Sequence, residues 1–226
     1  MTGIVAYDRE DAGAPPSLVP DYRSTVLRSP RQPLIAIPPT LTETTGPDQW
    51  DRLMVGPQGL DLTAQHKGVP QGQRIIVSGR VLDDRGRAVP NTVLEIWQAN
   101  AAGRYASVDD ARDDAPLDPH FVGFGRASVD ADGVYRFRTI RPGRVPGPGN
   151  TLQAPHLAVS VFGRGILKRL ATRLYFDGGD GNDVDPVLCA VPEARRHTLI
   201  ARQQADGRWW FDIHLQGDRE TVFFAL

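Results

Sequence analysis

The sequence predicts an all-β fold: an antiparallel β-sandwich with a long irregular N-terminal arm. From residue 73 onward, β-branched and aromatic residues alternate with polar ones in short runs, and glycine-containing turns separate the runs. No amphipathic stretch has a convincing helical period. Short strands at regular spacing with turns between them are typical of sandwiches. We therefore assign residues 1–72 to the arm and residues 73–226 to the sandwich domain.

The arm is rich in proline and glycine and shows little periodicity. Its stretch SPRQPLIAIPPTLTETTGP, residues 29–47, cannot form a helix across its prolines. A segment of this length without regular structure rarely folds alone. We expect the arm to lie over the domain or over a partner chain.

The first strands of the domain are predicted in two segments of similar design. Each segment has two runs of strand-forming residues around a polar turn, at residues 83–86 in the first and 130–133 in the second. Over residues 134–139, arginines alternate with aromatic residues, which predicts a strand with one face in water. Later strands are predicted in HLAVSVFG (156–163), RLATRLYF (169–176), TLIARQQADGRWWFDIHLQG (198–217) and ETVFFAL (220–226).

Composition and charge indicate an ordinary globular protein. Of the 226 residues, 40 % are hydrophobic and 23 % are charged, and the formal net charge of −1 argues against nucleic acid or an anionic membrane as the main partner. The N-terminus lacks the pattern of a signal peptide, and no apolar run has the length of a membrane span. The single cysteine, Cys189, excludes an intrachain disulfide and is expected to be a buried, inert thiol. These observations predict a cytoplasmic location.

No short motif in the sequence indicates a known chemistry. The five histidines are His66, His120, His156, His197 and His214, and none has a second histidine or a cysteine at metal-binding spacing. The patterns CxxC, HExxH and GxSxG and glycine-rich phosphate loops do not occur. Local motifs alone therefore leave the function undetermined.

Longer stretches point to a family. GRVLDDRGRAVPNTVLEIWQANAAGRY (79–105), followed by DPHFVGFGRASVDADGVYRFRTIRPG (118–143), closely resembles the intradiol ring-cleavage dioxygenases. The arm, over residues 19–47, is similar to that of the iron-bearing β-type chain of heteromeric members. Three later stretches are similar to their iron-free α-type chain: VFGRGILKRLATRLYF (161–176), DPVLCAVPEARRHTLIAR (185–202) and FDIHLQGDRETVFFAL (211–226). This resemblance covers nearly the whole chain.

The resemblance implies a set of iron-ligand positions. Members of the family hold a ferric ion with two tyrosines and two histidines. The matching positions here are Tyr105, Val145, His156 and Ala158. Because valine and alanine have no donor atom, only two donors remain, and two donors rarely retain a metal. We therefore expect no metal in this chain alone, with Tyr105 and His156 as buried, hydrogen-bonded remnants of the site.

The resemblance also implies a partner and a substrate. Fe(III) of the holoenzyme is expected in a β-type, iron-bearing partner chain, whose pocket binds a small aromatic substrate. Gly46 and Pro47 match a turn of the α-type arm beside that pocket, Arg164 matches an arginine near it, and Tyr22 matches a tyrosine close to the substrate carboxylate. The plain alternatives are an ordinary glycine–proline turn, a surface ion pair and packing of the arm.

Three functional hypotheses follow. In the first, the chain is an iron-free α-type subunit that completes the partner's pocket for intradiol cleavage of protocatechuate by O2 to 3-carboxy-cis,cis-muconate. In the second, it is a self-contained ferric dioxygenase that uses Tyr105 and His156 with further ligands, for which Tyr22 and His120 are the candidates. In the third, it is a structural pseudoenzyme without a dioxygenase partner. The combination of a β-like arm and an α-like C-terminal half leaves the third hypothesis open.

Overall fold

The structure, a computed structural model, describes residues 27–38, 40–44 and 57–225. Tyr22, Gly46 and Pro47 lie outside these residues. The strands are β1 (Ile35–Ala36), β2 (Arg74–Leu82), β3 (Thr92–Trp97), β4 (Phe124–Ser128), β5 (Val134–Ile140), β6 (Val145–Pro146), β7 (Leu152–Gln153), β8 (His156–Gly163), β9 (Leu170–Phe176), β10 (Ile200–Gln203), β11 (Trp209–Trp210), β12 (Ile213–His214) and β13 (Phe224–Ala225). The helices are α1 (Leu41–Thr44), α2 (Pro57–Leu60), α3 (Pro186–Ala190) and α4 (Glu193–Arg196).

The long strands form two antiparallel layers, which confirms the predicted β-sandwich. One layer has the strand order β4-β3-β8-β9, and the other is built on the β2–β5 pair. Strand β10 pairs with β9 of the first layer and with β11 beside β2, so it joins the layers. Four short pairings, β1–β13, β9–β10, β2–β11 and β2–β12, are parallel, a feature that the sequence did not predict.

The two polar turns connect strands of opposite layers. The first turn follows β2 and leads to β3, and the second follows β4 and leads to β5, so the strands on either side of a turn do not pair with each other. Gly86 and Gly133 complete the turns with φ values of 71° and 72°. Glycine adopts this left-handed conformation without the steric cost that a side chain would add.

The main core lies between the two layers. Leu94, Leu157 and Leu174 of the first layer and Val77 and Phe137 of the second are at most 1 % exposed and belong to one apolar cluster. Burying each such side chain contributes roughly 1.5–3 kcal/mol to folding. The arginines of β5 are exposed and the alternate aromatic residues are buried, so the predicted wet face of this strand is confirmed.

Residues 29–36 of the arm lie against the C-terminal part of the chain. Strand β1 pairs in parallel with β13, and the carboxylate of Glu220 accepts hydrogen bonds from the backbone N–H groups of Arg31 and Gln32. The side-chain amide of Gln216 donates to the carbonyl of Ser29 at 2.6 Å. The arm also contains α1 and α2, which are too short to produce a periodic pattern. The boundary between arm and domain near residue 72 stays a prediction.

Cys189 is exposed, so the prediction of a buried thiol is wrong. Helix α3 buries Val187 and Leu188 against the domain, which turns the next residue outward. The Cys189 thiol donates to the carbonyl of Asp183 at 3.3 Å. Among the helices of the described ranges, none is long and apolar enough to cross a membrane.

Candidate functional site

The four positions that the family resemblance matches to iron ligands lie close together. His156 and Ala158 are two residues apart on β8, so both side chains point to the same face of the sheet. Ala158, Val145 and Tyr105 belong to one apolar cluster, in which the Tyr105 ring stacks on Trp97 with the ring centroids 5.5 Å apart. The pocket wall is therefore hydrocarbon at Val145 and Ala158.

A turn at residues 100–104, in the long connection between β3 and β4, positions Tyr105. The backbone N–H of Tyr105 donates to the Asp110 carboxylate at 2.9 Å. Gly103 has a φ of 80° and packs so closely on the carbonyl of Arg144 that a Cβ atom would lie 1.9 Å from that oxygen. The N–H of Gly143 donates to the carbonyl of Asn100 at 2.9 Å. This loop thus holds Tyr105 beside the turn that leads to β6.

A chain of buried hydrogen bonds joins Tyr105 and His156 through Thr42 of α1. The His156 Nδ1 atom lies 2.7 Å from the carbonyl oxygen of Ala154, which can only accept, so Nδ1 carries the proton. Nε2 is then the acceptor, and the Thr42 hydroxyl donates to it at 2.9 Å. The Tyr105 hydroxyl donates in turn to Thr42 Oγ1 at 2.8 Å. Each polar side-chain atom of this series of hydrogen bonds, from Tyr105 through Thr42 to His156, has its partner inside the protein.

Burial keeps the side chains of His156 and Tyr105 uncharged. Burial of the ring lowers the pKa of His156 well below its ordinary value, and the nearby Arg173 cation lowers it further. Burial raises the pKa of Tyr105 well above its ordinary value, although the Thr42 hydrogen bond and Arg173 act in the opposite direction. At neutral pH the pocket holds a neutral imidazole and a protonated phenol.

The one charged group that points into this pocket from β9 is Arg173, which is 1 % exposed. Its position opposite Ala158 in the β8–β9 pair directs it to the same face. Its guanidinium pairs with the Glu43 carboxylate of α1 and donates to Gln153 Oε1 at 2.6 Å. Burial acts to lower the pKa of Arg173, but the neighbouring Tyr175 and Glu43 raise it above its usual value. The side chain is therefore a cation.

The neutral state of His156 predicts a dependence of stability on pH. Because its pKa is lowered in the folded chain, the unfolded chain binds one more proton below about pH 6.5. Stability is then fully present above that pH and decreases on acidification, by about 1 kcal/mol between pH 6.5 and 5.5. Urea unfolding at pH 7.5, 6.5 and 5.5 measures this. His156→Gln should flatten the profile, and His214→Gln, at a half-buried site, should flatten it less. Parallel profiles for the wild type and His156→Gln would refute the prediction.

Arg164 and His120, which the sequence also singled out, do not belong to this chain of hydrogen bonds. Arg164 is exposed in the turn after β8, at the opposite end of this eight-residue strand from His156, roughly 25 Å away by strand geometry. Its carbonyl accepts a hydrogen bond from the Arg28 guanidinium at 2.9 Å. The ring of His120 packs against Gly68, away from the chain of hydrogen bonds. Tyr22, Gly46 and Pro47 fall outside the described residues.

Three residues of the pocket were not predicted from the sequence: Thr42, Glu43 and Arg173. A signal for the first two was available, because Thr40 and Glu43 form a capping box, in which the Thr40 N–H donates to the Glu43 carboxylate at 2.9 Å. The signal for Arg173 was a charged residue within the apolar run LATRLYF, all of which is buried.

Comparison with known proteins identifies the family. The chain matches the dioxygenase family model over residues 44–217 and the model for the N-terminal segment of the protocatechuate 3,4-dioxygenase β subunit over residues 7–40. It is 43 % identical to the protocatechuate 3,4-dioxygenase β chain of Burkholderia cepacia over 213 residues, which cover 89 % of this chain and 90 % of the relative. The chain belongs to the intradiol ring-cleavage dioxygenases. Members of this family are oxidoreductases.

The intradiol dioxygenases similar to this chain include both types of subunit. Identity to the protocatechuate 3,4-dioxygenase α chain of Pseudomonas putida is 36 % over 204 residues, covering 85 % of this chain and 98 % of the relative. Among solved structures, hydroxyquinol 1,2-dioxygenase from Pseudomonas putida DLL-E4 has a TM-score of 0.58 at 21 % identity, covering 83 % of this chain and 69 % of that chain. The structural likeness shows the shared β-sandwich fold.

The pocket residues do not fit the ferric ion that intradiol dioxygenases use. Of the four positions, only Tyr105 and His156 have donor atoms, and both donors are engaged with Thr42. The buried Arg173 cation would repel a second cation in a medium of low dielectric constant. Within the described ranges, no group of three or more His, Cys, Asp or Glu side chains could hold a metal ion.

Proposed function

We propose that this chain is the iron-free α-type subunit of a heteromeric protocatechuate 3,4-dioxygenase. A β-type partner holds Fe(III) and carries out the intradiol cleavage of protocatechuate by O2 to 3-carboxy-cis,cis-muconate. The observation that carries the proposal is the hydrocarbon at Val145 and Ala158, with Thr42 lying between the two donors that remain. A chain built in this way needs a second polypeptide for redox chemistry.

The relatives support a heteromeric assembly. Curated proteins of both names, α chain and β chain, align with most of this chain. The β-like arm and the higher identity to a β chain are consistent with descent from a catalytic chain that later lost its ligands. The donor set is more informative about metal binding than overall identity, because two side chains decide whether a metal is bound and contribute almost nothing to an identity score.

Arg164 supports a role at the partner's pocket. The arginine is exposed, and the ion pairs among the described residues do not include it. An exposed guanidinium can bind a carboxylate with two parallel hydrogen bonds. We propose that Arg164 contacts the carboxylate of protocatechuate in the assembled enzyme, with Gly46, Pro47 and Tyr22 of the arm lining the same pocket.

Metal analysis of the chain alone and in complex tests the proposed function. Expressed alone, the chain should be colourless and contain less than about 0.1 iron per chain. Coexpressed with a β-type chain that has both tyrosines and both histidines, it should copurify in a complex with about one iron per pair. That complex should consume O2 with protocatechuate.

Tyr105→Phe separates the three hypotheses. In the complex it should leave ring cleavage unchanged, because the reaction takes place on the partner chain. A coloured, iron-loaded and active isolated chain whose activity disappears with Tyr105→Phe would establish the self-contained enzyme instead. Failure to bind the β-type chain, with no activity in either preparation, would favour the pseudoenzyme.

The assembled enzyme provides a test of Arg164. Arg164→Gln should raise the KM for protocatechuate about tenfold with little change in kcat, because a charge-assisted hydrogen bond contributes about 1.5–3 kcal/mol. Activity toward catechol, which has no carboxylate, should be unaffected. Arg202→Gln, at an exposed position of β10, is the matched control. An equal loss of activity with both substrates would show that Arg164 acts on folding or assembly.

A further inference from the structure

Residues 40–43 of the arm are built into the vestigial pocket. Thr42 is 3 % exposed, and its hydroxyl bridges Tyr105 and His156. The Thr42 Oγ1 atom lies 2.8 Å from the Tyr105 hydroxyl oxygen and 2.9 Å from His156 Nε2. This hydroxyl lies between the two side chains that a metal ion would have to bind. A threonine from the arm thus fills the centre of the pocket.

Arg173 ties the same arm segment to the pocket wall. On one side, its guanidinium pairs with Glu43, whose other carboxylate oxygen accepts from the Thr40 hydroxyl at 2.6 Å. On the other side, it donates to Gln153 Oε1 at 2.6 Å and contacts the Tyr175 hydroxyl at 3.3 Å. The cation therefore connects the capped first turn of α1 to strands β7 and β9.

We propose that the former metal pocket now serves as a docking socket for residues 40–43 of the arm. Arg173 provides the positive charge of the socket, Thr42 fills its centre, and Glu43 completes the ion pair. Restoring the two missing donors is therefore not sufficient to restore iron binding. The inference goes beyond the proposed function, since it concerns what the pocket does in this chain and requires neither a partner nor a substrate.

Two sets of variants test whether the socket excludes iron. Val145→Tyr/Ala158→His restores the family's four ligands, and we expect it to take up less than about 0.1 iron per chain and to show no visible tyrosinate-to-ferric absorption band. Adding Thr42→Gly and Arg173→Gln to this pair should allow uptake approaching one iron per chain, with the band. Iron content by mass spectrometry and the visible spectrum are the measurements. Stoichiometric iron in the double variant would overturn the proposal, as would a folded quadruple variant without iron.

Hydrogen exchange tests the docking itself and does not depend on folding of the quadruple variant. In Arg173→Gln and Glu43→Gln, amides of residues 40–44 should lose their protection and exchange at rates near those of an unfolded chain. Residues 92–97 of β3 report global unfolding and should keep the protection that the remaining free energy of unfolding predicts. Arg126→Gln is the matched control, because Arg126 belongs to a different ion pair, with Glu95 between β3 and β4. Residues 40–44 that keep as much protection as residues 92–97 in these variants would overturn the proposal.

These outcomes are distinguishable from those that test the proposed function. Every measurement on the socket uses the isolated chain, whereas the assignment as an α-type subunit depends on complex formation and on the location of iron in the complex. A chain that fails to bind a β-type partner can still have a closed socket. Conversely, iron uptake by Val145→Tyr/Ala158→His would leave the subunit assignment intact.

Discussion

Replacing Arg173 with methionine is expected to lower the free energy of unfolding by about 3–5 kcal/mol, the cost typical of breaking a buried ion pair. The guanidinium is 1 % exposed and its partner Glu43 is 10 % exposed, so little water reaches either group. Without the cation, the Glu43 carboxylate and Gln153 Oε1 each lose a buried donor. Urea unfolding followed by tryptophan fluorescence measures the change.

A double variant and a second ion pair sharpen this prediction. Arg173→Met/Glu43→Met removes both charges, so it should recover most of the loss, because a buried pair contributes little net energy relative to apolar groups of similar size. Arg126→Met breaks the Arg126–Glu95 pair, whose side chains are 18 % and 22 % exposed, and should cost less than about 1 kcal/mol. Equal costs for the two single variants would contradict the argument from burial.

The features that could be predicted from the sequence either lie within one short stretch of the chain or follow from the family resemblance. The alternation over β5 reflects the two-residue period of a strand, and the turn glycines Gly86 and Gly133 mark positions where the backbone has a positive φ. The four positions matched to iron ligands followed from a resemblance to a family, and the structure brings these positions together. In each case the information lies within one strand, one turn or one recognisable motif.

The contacts that fill the pocket could not be predicted, because they join distant parts of the chain. Thr42 lies 63 residues from Tyr105 and 114 from His156, and Glu43 lies 130 from Arg173. A capping box and a charged residue in an apolar strand are visible in the sequence, but neither specifies its partner. The short parallel pairings, such as β2 with β11, are equally non-local.

Cys189 and Asp185 show how a short helix changes the interpretation of an apolar stretch. The apolar run PVLCAVP predicts burial around its cysteine, but the five residues of α3 bury only one side of the helix. The helix begins because Asp185 caps it, with its side chain accepting from the N–H groups of Val187 and Leu188. The inward direction of Val187 and Leu188 then exposes Cys189.

Asp185 also supports the pocket, and replacing it with alanine is expected to lower the free energy of unfolding by about 4 kcal/mol. The side chain is 0 % exposed. Besides the two helix N–H groups, it accepts from the Tyr175 hydroxyl at 3.1 Å and from the Ala154 N–H at 2.7 Å. A cap contributes about 1 kcal/mol, and hydrogen bonds to a charged group contribute about 1.5–3 kcal/mol each. Asp185 therefore binds the N–H of Ala154, the residue whose own carbonyl accepts from His156 Nδ1.

A graded series separates the roles of Asp185. Tyr175→Phe removes only the hydroxyl contacts and should cost about 1 kcal/mol. Asp185→Asn can keep the cap through its carbonyl oxygen, but its amide would then face the Ala154 N–H, so its cost should fall between those of the other two variants. Urea unfolding of the three variants should give this order. A loss below about 1 kcal/mol for Asp185→Ala would show that water or a shift of α3 replaces these hydrogen bonds. The segment that contains His156 would then not depend on Asp185 for its position.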